Sequence, residues 1–244
     1  MSEHQTLRKP LRPVGADPEP PDSAPEELAP VLEVEASLHN TVYGELRRRL
    51  ITGQIVPGLG LSTRGLAQEL GVSQMPVREA LSRLAAERAV EIRSKRRIVV
   101  PAMTRERFDD LLRCRTLLEP EAAMLALPHI DKRRLKHLAE IDAQLDDAIR
   151  TGDPIRYMQG NFDFHFEIYR AQRRHTLNQL IETLWLQFGP YMRVVYGRVG
   201  TANLVDQHHV ALEAIEAGDV EALGRAIRHD IEDGMGLIGR TALD

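Results

Sequence analysis

Apolar positions recur every three or four residues over most of this chain, and β-prone runs interrupt them only once. Over residues 61–70, Leu66, Ala67 and Leu70 share one helical face, and Gly71 ends the run. Ser73 then opens a second helix whose apolar positions are Val77, Ala80, Leu81 and Leu84, spaced i, i+3, i+4, i+7. Glu91-Ile92-Arg93 and Ile98-Val99-Val100 are short β-prone runs on either side of the polar turn Ser94-Lys95-Arg96-Arg97, which predicts a two-stranded hairpin. Beyond Pro101 only the helical period remains. Thr104 can cap a helix to about residue 127 with Phe108, Leu111, Leu112, Leu118 and Ala122 inward. Asp131 can cap the next, with Leu135, Leu138, Ile141, Leu145 and Ile149 inward. Thr151-Gly152-Asp153-Pro154 supplies a glycine stop, an Asp cap and a proline at the first helical position. A third helix then runs to about residue 171, and a fourth spans about 176–192 with Leu177, Leu180, Ile181 and Leu184 inward. Gly218-Asp219 divides two final helices. The fold class that follows is mainly α: an N-terminal winged helix-turn-helix domain (37–103) followed by an all-α helical bundle (104–240).

Helix, glycine turn, helix and wing are the outline of a DNA reader, whose second helix enters the major groove. Ser73 is a suitable N-cap for that helix, and Pro76 falls in its first turn, where a missing N–H costs little. With Val77 and Leu81 turned inward, Ser73, Gln74, Met75 and Arg78 are left near the exposed N-terminal end, which offers free N–H groups to a phosphate. Arg78 and Gln74 can each read a base edge through two contacts. Two packed helices with a solvated charged face would show the same spacing, so charge has to decide. Residues 41–100 hold eleven Lys or Arg against five Glu, a surplus of six; the whole chain is −4, so the remainder is −10. A basic island in an acidic chain is the electrostatic footprint of a polyanion-binding module.

Composition narrows the rest. A hydrophobic share of 43% with 28% charged residues is that of an ordinary globular protein, and 244 residues accommodate about two domains. No apolar run is long enough to span a bilayer, and the N-terminus has no apolar signal core, so the expectation is a cytoplasmic protein without a membrane partner. Cys114 is the single cysteine, which rules out an intramolecular disulfide and fits a reducing compartment; it is expected to be a small buried hydrophobe. Residues 1–36 carry seven of the 14 prolines and are expected to form a disordered tail.

Residues 40–101 resemble the winged helix-turn-helix of GntR-type bacterial transcription regulators. The matching features are Ile51-Thr52-Gly53-Gln54-Ile55-Val56-Pro57-Gly58, Leu66-Ala67 through Gly71-Val72-Ser73, and Pro76-Val77-Arg78-Glu79-Ala80-Leu81. The resemblance implies contacts to a double-stranded DNA operator at Arg64, Ser73, Gln74, Met75, Pro76 and Arg78, and at the wing tip near Lys95 and Arg96. Gln74 and Met75 stand where the family usually has Arg and Thr, and Arg97 replaces a common wing glycine.

Three bundle helices carry polar residues on apolar stripes. One row reads Met158, Asn161, His165, Ile168; a second Leu204, His208, Ala211, Ile215; a third Leu223, Ile227, Asp230, Leu237. Two imidazoles, a carboxylate and an amide oxygen converging inside a bundle can ligate a divalent metal; as separate residues they need only hydrogen-bond partners. Asp163, His209 and His229 fall off the stripes. Residues 104–240 look like the ligand-sensing C-terminal domain of the FadR subgroup of GntR regulators, through Arg115-Thr116-Leu117-Leu118-Glu119-Pro120, Phe164-His165, and His208 through Ala214-Ile215 to Gly218-Asp219. In many members an Asp or Asn and three histidines surround a metal. Carried over, the resemblance implies Asn161, His165 and His208, with Asp230 in the place of the last histidine; zinc, nickel, manganese and iron all remain open. Arg115 sits near the stripe of its helix and needs an anion. Either Glu119, one turn on, supplies it, or Arg115, with Arg113, holds the carboxylate of an organic effector, as the resemblance favours. The whole then reads as a homodimeric repressor whose operator binding answers to a small carboxylate. The alternatives are a metal-dependent enzyme with a two-His, one-carboxylate site, and an architectural DNA-binding protein with an unliganded bundle.

Overall fold

The computed structural model describes the backbone of residues 28–94, 97–199 and 206–242, and the side chains of 40–94, 97–192, 206–236 and 239. The expected tail over 1–27, the wing-tip cations Lys95 and Arg96 and the stripe residue Leu204 lie outside the described residues, as does the side chain of Leu237.

Helix α1 spans Leu28–Ile51, so it begins inside the segment expected to be disordered. Pro30 fits there because the first four N–H groups of a helix have no intrahelical partner. Helices α2 (Thr63–Leu70) and α3 (Gln74–Ala86) form the helix-turn-helix, with Gly71 between them in the left-handed region at φ 67°. Val42, Leu46 and Leu50 of α1 are buried in one core with Leu66 and Ala67 of α2 and Val77, Ala80, Leu81 and Leu84 of α3. Ser62 caps α2, accepting from the Gly65 N–H at 3.0 Å. Ser73 stands at the cap position of α3 in extended backbone, but its hydroxyl makes no capping bond. The reason is Pro76: three residues on, it has no N–H to offer.

Strands β1 (Glu91–Ser94) and β2 (Arg97–Val99) form the antiparallel wing, with Glu91 opposite Val99 and Ile92 opposite Ile98. Leu61 adds a bridge to Ile98 through two backbone hydrogen bonds of 2.7 and 2.9 Å, tying the approach to α2 onto the wing.

The rest is helical: α4 (Arg105–Ala126), a 3-10 turn (Leu127–His129), α5 (Lys132–Thr151), α6 (Pro154–Tyr169), α7 (His175–Val199), α8 (Gln207–Ala217) and α9 (Val220–Ala242). Thr104, Asp131 and Asp153 cap their helices as the sequence suggests, and Gly152 closes α5 at φ 68°. Three expected positions differ. Leu180 is 52% exposed because its neighbour Ile181, 100° round the helix, takes the inward place. Ile149 is 38% exposed at the last turn of α5. Cys114 is exposed, since Leu111 and Arg115 occupy the inward rows on either side of it.

The end of α1 meets α7 backbone to backbone. A Cβ at Gly189 would come within 2.8 Å of both the Cα and the carbonyl oxygen of Ile51. Around that contact Tyr191 donates to the Pro101 carbonyl at 2.5 Å, Arg107 donates to the Arg88 carbonyl and to Gln187 at 3.2 Å each, and Arg47 of α1 pairs with Glu182 of α7 at 2.8 Å.

Candidate DNA-reading face and metal centre

Packing α3 on α2 through Val77 and Leu81 leaves Ser73, Gln74, Met75 and Arg78 exposed at its N-terminal end, Met75 at 57%. Arg64, near the start of α2, is also exposed. Pro76 is not: it is buried with Val77 and shapes the turn rather than presenting itself. Much of the basic charge is already taken inside the domain. Arg48 and Arg49 pair with Glu45 at 2.9 and 2.7 Å, Arg49 also with Glu69 at 2.7 Å, and Arg93 with Glu91 at 3.1 Å. Arg83 lies over the Tyr43 ring, 3.7 Å from its centroid. Arg64 and Arg78, at the exposed ends of α2 and α3, are paired with no carboxylate among the described residues, and the same holds for Arg97 on the wing. Neither helix has an acidic residue in its first turn, which leaves their terminal N–H dipoles open to a phosphate.

In the bundle three helices contribute to one cluster. His165 of α6, His208 of α8 and Asp230 of α9 offer ligand atoms all within 4.8 Å of one another. His165 is wholly buried, the His208 side chain is 9% exposed and the Asp230 side chain 27%. His165 Nε2 lies 3.0 Å from Asp230 Oδ2, and His208 Nε2 lies 3.7 Å from Asp230 Oδ1. Phe164 stacks on the His208 ring at 4.1 Å between centroids and fixes its plane. Burial opposes ionisation of Asp230, yet the His165 ring 3.0 Å away and the fields of His208 and Arg115 hold its carboxyl below the usual carboxylate range. Burial likewise opposes charge on His208, and the carboxylates of Asp142 and Asp230 override it, raising its pKa above the ordinary histidine value.

One atom tests whether a cation suits this cluster. His208 Nε2 is buried and has no hydrogen-bond partner among the described residues, which is costly unless something else satisfies it. Two imidazole nitrogens and a carboxylate oxygen are the donor set of zinc, nickel, manganese or iron, and nitrogen and oxygen ligands sit about 2.0–2.2 Å from zinc. The residues fit such an ion. Asn161 is buried one turn before His165 on the same face of α6. Asp163, His209 and His229 are all exposed, away from the cluster.

Two contributors lay outside the sequence reading. Asp142 of α5 places Oδ1 3.5 Å from His208 Nδ1, and Tyr169 places its hydroxyl 2.9 Å from His165 Nδ1. Spacing carried a signal for both: Tyr169 is one turn beyond His165, and Asp142 falls between Leu138 and Leu145 on an i, i+4, i+7 row. Arg115 is 3% exposed and its anion is internal. Its Nε donates to Glu119 Oε1 at 2.5 Å and its Nη2 lies 3.3 Å from Oε2. Arg113 is exposed and does not share that interior.

Comparison with known proteins places both halves. Residues 38–100 match the family described as bacterial regulatory proteins, gntR family, and residues 110–233 match the FCD domain. The HTH-type transcriptional regulator McbR of Escherichia coli (strain K12) is 30% identical over 205 residues, 83% of this chain and 93% of that protein. The gluconate operon transcriptional repressor of Bacillus subtilis (strain 168) is 27% identical over 210 residues, covering 82% and 84%. Among solved structures, E. coli McbR/YncC superposes with a TM-score of 0.78 at 29% identity, over 83% of this chain and 97% of that one. These relatives are transcription regulators rather than enzymes, so the enzymatic alternative falls away. No helix among the described residues is long and apolar enough to cross a membrane. With a reader that matches along its length and an FCD domain behind it, the chain belongs to the GntR family of bacterial transcription regulators.

Proposed function

We propose that this regulator is a metal-dependent repressor that binds its operator as a homodimer in the cytoplasm and changes its DNA affinity when a small carboxylate binds in the FCD domain. The observation that carries the sensor half is the orphaned Nε2 of His208, facing His165 Nε2 and Asp230 inside the bundle. His165, His208 and Asp230, with Asn161 beside them, would hold a divalent ion. When bound, the ion supplies a Lewis-acidic position that a carboxylate can occupy. The chain's own residues do the rest. Phe164 and Trp185 exclude water around the rings, and Asp230 balances the positive charge. Among the described residues the buried Arg115 is already neutralised by Glu119, so the ion takes the role first expected of that arginine.

The reader half rests on Arg64, Ser73, Gln74, Met75 and Arg78, with Lys95 and Arg96 at the wing. Two copies would read two half-sites of a near-palindrome. Repression as the sign follows the B. subtilis relative, named as a repressor. A ligand acts only through its different affinity for the two placements of the winged domains. The test is to select duplexes from a random-sequence pool with the zinc-loaded protein, then run gel shifts against a panel of small carboxylates at moderate salt. The expected result is a selected palindrome whose retention at least one carboxylate weakens. Recovery of no preferred sequence overturns the reader half, and indifference to every carboxylate overturns the sensor half.

A further inference from the structure

The protons around His165 can be placed by counting donors. Glu119 is ion-paired with Arg115, so its carboxylate only accepts. It accepts from Arg115 Nε at 2.5 Å, from Trp185 Nε1 at 3.0 Å and from the Tyr169 hydroxyl at 2.9 Å. A phenol has one proton, and Tyr169 directs it at Glu119. The Tyr169 oxygen is therefore an acceptor toward His165 Nδ1, 2.9 Å away, and Nδ1 carries the ring proton. In a neutral ring this leaves a lone pair on Nε2, which points at Asp230 Oδ2 from 3.0 Å. Two lone pairs at that separation repel unless positive charge lies between them. On the far side of the same carboxylate stands His208 Nε2, which has no hydrogen-bond partner among the described residues, with Asp142 behind its Nδ1.

We propose that Tyr169 is a positioning residue for the metal centre: the Arg115–Glu119 pair, acting through the Tyr169 hydroxyl, locks His165 in the Nδ1-protonated tautomer and aims Nε2 at the cation. This rests on the metal reading above. Metal-binding histidines commonly donate their second N–H to a fixed acceptor. Here the acceptor is a phenol backed by a carboxylate, and Tyr169, Glu119 and Arg115 are each at most 3% exposed, so the orientation holds without water. Arg115 thereby gains a purpose: paired with Glu119, it occupies Oε1 and leaves Oε2 to accept from Tyr169 and Trp185.

Zinc alone is the probe, titrated into full-length metal-free protein against a chelating dye. Tyr169→Phe keeps the ring in its site and removes only the oxygen. Zinc Kd is expected to rise about 10- to 100-fold in Tyr169→Phe, with an unchanged helical circular dichroism spectrum. Nitrogen-15 NMR of the zinc-loaded wild type is expected to show His165 with a proton on Nδ1 and zinc on Nε2; this readout does not depend on the variant folding. Wild-type zinc affinity in folded Tyr169→Phe overturns the inference and leaves the metal reading standing. Zinc on Nδ1 of His165 in the wild type overturns it too. Failure of the wild type to take up zinc overturns both.

Discussion

A single buried carboxylate, Glu119, ties three helices of the FCD domain together. It is fully buried and accepts from Arg115, Tyr169 and Trp185, which come from three helices. Glu119→Ala strands the Arg115 guanidinium in the core and is expected to cost about 3–5 kcal/mol in urea unfolding, since removing one partner of a buried pair leaves an uncompensated charge. A loss below about 1 kcal/mol would show that water replaces the carboxylate, contrary to the burial seen here. Glu45, in the reader, offers a pH test. Its hydrogen bond to Arg48 opposes burial and, with Arg49, holds its carboxyl at about 2 against an ordinary 4.5. A depressed carboxyl stabilises the fold above its unfolded value and ceases to do so as pH falls through the folded one. Glu45→Gln should therefore melt below wild type at pH 7, and the gap should close between pH 4.5 and about 2. At this scale the sequence exposed the inward rows, including His165 and His208, but not which of two partners Arg115 would choose. Glu119 at i+4 was visible; Tyr169 and Trp185, 50 and 66 residues further on and needed to complete it, were not.

Elements were legible where local chemistry marks their ends. Asp131, the Gly152-Asp153-Pro154 punctuation and Thr104 set helix boundaries through their own hydrogen bonds and dihedrals, so the bundle of six long helices follows from short sequence windows. Features that need a distant partner were not legible. The Leu61 bridge to Ile98 extends the wing with one residue and leaves no period. Ser73 looked like a cap, yet Pro76, three residues on, has no N–H to donate to it. Gly189 has no role in α7 that its own helix reveals; its reason is the backbone of α1. Gly189→Ala is accordingly expected to destabilise by about 1–3 kcal/mol through overpacking, because no side chain can move aside there. Thermal unfolding of the variant checks this, and a neutral result would show that the two helices separate freely.

Across the whole molecule the winged domain and the helical bundle are joined by contacts that reach the helix carrying His165. Glu182 of α7 pairs with Arg47 of α1 at 2.8 Å and with Arg170, at the end of the helix that carries His165, at 2.6 Å. Glu182→Gln should leave metal-free DNA binding within about twofold and weaken the effect of metal on it, measured by fluorescence anisotropy; an unaltered metal effect would place the coupling elsewhere. As proposed above, metal binding in the bundle and DNA binding by α3 share one free energy. Linkage makes that reciprocal, and couplings of this kind usually amount to about 5- to 150-fold. The most direct measurement is the zinc Kd of the full-length protein, free and saturated with its selected duplex. The two values are expected to differ at least about fivefold. Equal values, in a protein that binds both zinc and the duplex, would contradict it.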